Sequence, residues 1–205
     1  MNVGQRFARL TTDVVVRRPA LWRLFRRVTE RQFDRLAPQW DATRRPGFQA
    51  PFERALEEVD PPRRALDLGT GTGAGALLIA ARFPDAEVVG VDLSAGMVAE
   101  AERKIAPALR GRVRFEQADA AALPFADGAF DLVAHGNMIP FWDELARVVA
   151  PGGRVLFSFS LGPETPIWVA PARLRTELGR RGFADFAEVS AGRGTAFLAR
   201  KSDRR

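Results

Sequence analysis

The sequence predicts an α/β fold: a doubly wound, mostly parallel seven-stranded sheet with an antiparallel C-terminal hairpin, preceded by N-terminal helices. Three observations predict it. Between residues 64 and 160 short apolar runs alternate with segments of helical periodicity, the pattern of parallel strands joined by crossover helices. A glycine-rich turn follows the first apolar run, where a strand must turn sharply into a helix. Two final short runs, separated by Ala191-Gly192-Arg193-Gly194, read as an antiparallel hairpin at a sheet edge.

In order along the chain, Leu21, Leu24, Phe25 and Val28 recur at helical spacing between Pro19 and Arg31, with Arg23, Arg26, Arg27 and Arg31 among them: a basic amphipathic helix. A second helical stretch runs through Phe33, Leu36 and Trp40. Pro46, Gly47 and Pro51 then interrupt the chain before a short helix over Phe52 to Val59. Asp60-Pro61-Pro62 marks a boundary, so residues 1–60 are expected to form an extension or lid and residues 61–205 the α/β domain. Within that domain strands are predicted over Arg64 to Leu68, Glu87 to Val91, Val113 to Gln117, Phe130 to Ala134, Arg154 to Ser160, Phe186 to Val189 and Thr195 to Arg200. Helices are predicted from Gly73 to Phe83, Met97 to Ala106, Trp142 to Val149 and Ala172 to Arg181.

At 205 residues the chain is long enough for one cored domain with an appendage. It has no cysteine, which excludes disulfides, thiolate metal sites and a cysteine nucleophile. Its one histidine, His135, excludes a multi-histidine metal centre, so no metal is expected. No apolar run approaches the length of a membrane span and no signal-peptide pattern begins the chain, so a cytoplasmic location is expected. The net charge of +6 is unevenly placed. Residues 1–31 hold eight arginines against Asp13 and Glu30, whereas the remainder balances 23 basic with 23 acidic side chains. The basic segment is compatible with a lid, a membrane-surface helix or a contact for an acidic partner. With a neutral globular part and no reader motif, nucleic acid is not an expected partner.

Carboxylates decide the chemistry of the glycine turn, Asp67-Leu68-Gly69-Thr70-Gly71-Thr72-Gly73. Such turns let the backbone approach a ligand closely, and dinucleotide-binding proteins use them for a pyrophosphate. Asp67 beside the turn would repel a pyrophosphate, but it suits the ammonium of an amino acid. Asp92, some 20 residues on at the end of the second strand, is placed to accept hydrogen bonds from ribose hydroxyls. Asp119 ends the third strand, where a carboxylate can meet the exocyclic amine of an adenine. A ligand with an ammonium, a ribose and an adenine fits all three. Asp131, just before the fourth strand, is expected to serve the fold.

Four segments in order resemble the class I S-adenosylmethionine-dependent methyltransferases, in particular the small-molecule branch of the ubiquinone and menaquinone methyltransferases. They are Ala65-Leu66-Asp67-Leu68-Gly69-Thr70-Gly71-Thr72-Gly73, Val89-Gly90-Val91-Asp92-Leu93-Ser94, the run from Leu123 to Val133, and Glu144 to Arg154 with its Pro151-Gly152-Gly153. The resemblance implies methyl transfer to the oxygen, carbon or nitrogen of a small-molecule acceptor, with S-adenosylmethionine as cofactor. It implies that Asp67, Gly69, Thr70, Gly71 and Gly73 cradle the methionine moiety and that Asp92 holds the ribose. Leu93, Met97, Asp119 and Ala120 would surround the adenine. Phe33 to Asp41 looks like the family's cofactor-covering motif, with Phe33 and Trp40 where tyrosine is frequent. His135, after the fourth strand, is placed near the transferred methyl, as a cofactor contact and a candidate base. Trp40, Asn137, Phe141 and Trp142 are candidates for the acceptor pocket. Two alternatives remain: a non-catalytic cofactor-binding module that acts through a partner, and a nicotinamide-dependent oxidoreductase, which Asp67 disfavours.

Overall fold

A computed structural model describes residues 3–203. Among these, the N-terminal segment contributes helices α1 (Val3–Arg17), α2 (Trp22–Leu36) and α3 (Ala50–Leu56). The elements that follow are β1 (Arg64–Leu68), α4 (Ala74–Arg82), β2 (Glu87–Asp92), α5 (Ala95–Arg103), β3 (Val113–Gln117) and β4 (Phe130–Gly136). The chain continues through α6 (Trp142–Val148), β5 (Val149–Phe159), α7 (Pro171–Gly179), β6 (Phe183–Ala191) and β7 (Gly194–Lys201). The strands form one seven-stranded sheet in the order β3-β2-β1-β4-β5-β7-β6. The pairs from β3 to β5 are parallel, and β7 runs antiparallel to both β5 and β6. The chain leaves β1 first toward β2 and later toward β4, so the order reverses beside β1 and opens a crevice at its carboxyl end.

Alternate strand residues enter two separate cores, as the two-residue repeat of a strand requires. Leu66, Val89, Val133, Val155 and Phe157 pack with α6 and α7 on one face. Ala65, Val88, Leu132, Leu156 and Leu198 pack with α3, α4 and α5 on the other. Asp131 serves the fold: its Oδ2 accepts from the backbone N–H groups of Arg63 and Arg64, both at 2.9 Å, at the entry to β1. Gly90 lies where a side chain has no room. A Cβ there would stand 2.5 Å from the Phe115 ring and 2.8 Å from the Thr70 hydroxyl. Gly90→Ala is expected to cost about 2 kcal/mol by overpacking, read as a lower urea midpoint at unchanged slope.

The N-terminal segment departs most from expectation. α1 was not foreseen, although Phe7, Thr11, Val14 and Val15 have helical spacing. The stretches predicted on either side of residue 32 are one continuous α2, and the stripe expected to bury it is displaced. Leu24 and Val28 are 65% and 54% exposed, whereas Trp22, next to Arg23 in the sequence, is buried at 8%. Trp22 and Phe25 pack on Phe141 and Phe7 respectively. α3 lies on β5, β6 and β7, with Phe52, Ala55 and Leu56 in the second core. β5 begins five residues earlier than Arg154. A register shift between Phe130 and Leu132 of β4 lets the Pro-Gly-Gly turn be carried inside the strand.

Candidate functional site

The crevice at the carboxyl end of β1 is built by two carboxylates and the turn between them. Asp67 is 2% exposed and accepts a hydrogen bond from the Thr70 hydroxyl at 2.7 Å. Burial raises its pKa to about 7, against the opposing pull of the Thr70 hydroxyl and the Ala76 N–H. Asp92 fixes the other side of the turn: Oδ2 accepts from the Gly71 N–H and Oδ1 from the Ser94 N–H, both at 2.9 Å. Burial lifts its pKa too, while backbone N–H groups of Ser94, Gly71 and Leu93 oppose the rise. The Ser94 hydroxyl caps α5 by accepting from the Met97 N–H at 3.1 Å.

Three carboxylates stitch the N-terminal segment over this crevice. Asp34 accepts from the Ser94 hydroxyl at 2.6 Å and the Gly96 N–H at 3.1 Å. Asp41 accepts from the Thr72 hydroxyl at 2.6 Å and pairs with Lys104. Asp119 accepts from the Trp22 indole at 3.0 Å and the Ala121 N–H at 2.9 Å, and it pairs with Arg26 at 2.8 Å. Asp119 was expected to face an adenine amine; here its oxygens hold α2 down. Phe33 and Trp40 of the covering motif meet edge to face, 5.5 Å between ring centres.

The stitched cover encloses a cavity of about 460 Å³. Of the expected cofactor residues, Asp67, Gly69, Thr70, Gly71, Asp92, Leu93, Met97, Asp119 and Ala120 line it, as do Trp40, Asn137 and Phe141 of the expected acceptor pocket. Gly73 does not. It starts α4 with φ +86°, and a Cβ there would stand 2.7 Å from the Phe115 ring, so it is a close-packing glycine behind the turn. Trp142 is also absent from the lining; it is 2% exposed, and its indole reaches the Val16 carbonyl of α1 at 3.4 Å. Asn137 holds the left-handed backbone (φ +52°) beyond β4, its Oδ1 accepting from the N–H and hydroxyl of Ser160 at 3.0 and 3.1 Å.

His135 corrects the expectation of a base at the transferred group. In register with Leu68 it faces the α6 and α7 side of the sheet, away from Asp67, and its ring lies 4.1 Å from that of Phe157. It is 1% exposed, does not line the cavity, and neither ring nitrogen has a hydrogen-bond partner. Burial lowers its pKa to about 3, so it stays neutral where a general base must take a proton. As pH falls below about 6.5 the histidine takes up a proton in the unfolded chain that it refuses in the folded one, so the contribution of His135 to stability falls by roughly 1 kcal/mol per pH unit until pH approaches 3. His135→Leu is expected to remove that contribution, so that urea titrations show the variant gaining stability relative to the parent as pH falls from 6.5 toward 4, and to leave ligand binding unchanged.

Arg44 is the residue that sequence reading missed. It is the one basic side chain among the described residues that line the cavity. It pairs with Asp41 at 3.3 Å, sits beside Gly71, and its buried Nε has no partner. No motif marks it; only the fold brings it near Asp67.

Against known proteins, residues 65–153 match the family model described as a methyltransferase domain. The matched region runs from β1 into β5 and carries Asp67, Asp92, Asp119 and Asn137; the cover with Trp40 and Arg44 precedes it. Over 137 residues the chain is 46% identical to a demethylmenaquinone methyltransferase of Thermus thermophilus, an alignment covering 60% of this chain and 62% of that protein. Over 152 residues it is 40% identical to a malonyl-[acyl-carrier protein] O-methyltransferase of Halorhodospira halophila, covering 68% and 50%. The chain thus spans between half and two thirds of the length of these relatives. Its fold is that of human N-acetylserotonin methyltransferase, solved in complex with S-adenosylmethionine: TM-score 0.61 at 20% identity, covering 75% of this chain and 52% of that one.

Proposed function

We propose that this chain transfers a methyl group from S-adenosylmethionine to a neutral, largely apolar small molecule. The observation that carries the cofactor reading is the pairing of opposite charges at the glycine turn. Buried Asp67 and Arg44, whose Nε is unpartnered, both line the cavity beside the glycine turn, a pair of groups that fits the ammonium and carboxylate of an amino acid. Asp92 keeps lone pairs for ribose hydroxyls, and Leu93, Met97 and Ala120 offer an apolar wall for a flat base. A nicotinamide dinucleotide fits poorly, since its pyrophosphate would meet Asp67 and Asp92. When bound, the sulfonium supplies a methyl group that is already activated for transfer.

The chain's own contribution is then to orient the acceptor and exclude water. Residues 1–60 act as the lid on the domain formed by 61–205, with α3 as its anchor on the sheet. The acceptor half of the cavity is walled by Phe7, Phe48, Phe52, Met138, Ile139 and Phe141, with Thr11, Asn137 and Ser160 as neutral polar groups. Arg44 is committed to the cofactor, which leaves no cation among the described lining residues to balance an acceptor carboxylate; burying one unpaired is costly. This favours an acceptor like that named for the Thermus relative over a carboxylate like that named for the Halorhodospira relative. The test is calorimetric titration with S-adenosylhomocysteine, with NADH and NADPH as controls, followed by radiolabelled methyl transfer to a neutral naphthol and to a dicarboxylate. Tight binding of S-adenosylhomocysteine alone, with the naphthol labelled and the dicarboxylate not, is expected. Preference for a nicotinamide nucleotide would overturn the cofactor reading, and preferential labelling of the dicarboxylate the acceptor class.

A further inference from the structure

The large side chains exposed on this molecule are not scattered. Leu10, Leu24 and Val28 are the exposed large hydrophobic residues among the described ones, and all lie on α1 and α2. On α2, Leu24 and Val28 share one face with Arg27, Arg31 and Arg35, at helical spacing along the outer surface, and Arg23 flanks them. Among the described residues none of these four arginines makes an ion pair, and the helix's own carboxylates are directed elsewhere: Asp34 to Ser94, Glu30 to Gln117. The segment containing α1 and most of α2, residues 1–31, holds the whole net charge of +6.

We propose that the outer face of α2 docks on an anionic lipid bilayer. Apolar side chains in a field of unpaired arginines are the two elements of interfacial binding: apolar area to enter the headgroup boundary and positive charge to meet acidic headgroups. An acidic protein or a nucleic acid would use the arginines but would leave Leu24 and Val28 in water. The opposite face of the same helix lines the cavity with Trp22, Thr29, Gln32 and Phe33, so docking would place the lid between bilayer and site. Among the described residues no helix is long and apolar enough to cross a membrane, so the contact is peripheral.

The experiment is flotation of the full chain with vesicles of phosphatidylcholine alone and with added phosphatidylglycerol, over a range of salt. Binding only to the acidic vesicles, weakened by salt, is expected. Arg27→Ala with Arg31→Ala should lower the partition about 25-fold, at about five-fold per charge, and Leu24→Asp with Val28→Asp should lower it at least about ten-fold. Both pairs lie on the outer surface and should leave S-adenosylhomocysteine binding intact. Asp92→Ala should float as the parent does, so a failure here is distinguishable from a failure of the proposed activity. No flotation with acidic vesicles at low salt, loss in the arginine pair without loss in the Leu24 and Val28 pair, or binding of duplex DNA in place of vesicles would overturn the proposal.

Discussion

Asp92→Ala is expected to weaken binding of S-adenosylhomocysteine by about 100-fold or more, with the fold retained. The carboxylate does two things at once. It holds the Gly71 and Ser94 N–H groups, joining the glycine turn to the start of α5, and it presents its remaining lone pairs to the cavity. Alanine leaves two backbone donors without their partner and removes a charge-assisted acceptor for the ribose. Asp92→Asn keeps one oxygen for one N–H and should fall between parent and alanine variant. Calorimetry gives the affinities, and circular dichroism checks that the sheet persists. Affinity unchanged in the alanine variant would remove Asp92 from the site.

That assignment was open to sequence reading because it depends on position along a strand. Strand ends are fixed by the short apolar runs, and parallel strands bring their carboxyl ends to one edge, so Asp67 and Asp92 had to meet beside β1. The errors concern which way a side chain faces and what covers it. His135 lies on the expected strand end, but the two-residue repeat turns it into the α6 and α7 core. Gly73 belongs to the glycine motif, yet its space is filled by Phe115 rather than by a ligand. Asp119 sits at the expected edge, and its engagement by Trp22 and Arg26 depends on the packing of α2. In α1 the threonines Thr11 and Thr12, both buried, weaken the apolar signal. Arg44 reaches the site from a non-helical stretch some 23 residues before Asp67, which no local pattern reveals.

Binding of S-adenosylhomocysteine is expected to release a proton in a way that names Asp67. With its pKa near 7 in the free protein, Asp67 is largely protonated at pH 6, and pairing with an ammonium favours the carboxylate. Calorimetric enthalpies in buffers of different ionisation enthalpy should give close to one proton released at pH 6 and almost none at pH 8.5. Apparent affinity should rise by up to about ten-fold per pH unit below 7 and level off above it. The contribution of Asp67 to the stability of the free protein follows the opposite trend, and between pH 4 and 6.5 it opposes that of His135. A carboxyl whose folded pKa lies above its unfolded value, near 4, contributes stability that is complete below pH 4 and declines as pH rises to 7. Asp67→Asn removes that decline and should raise the urea midpoint at pH 8, while it abolishes the proton release and weakens binding. A residue that only held the glycine turn in place would lose stability on substitution. Gain of stability together with loss of binding therefore marks a carboxylate kept buried for a cationic ligand, and proton release persisting in the Asn variant would assign the titration to another group.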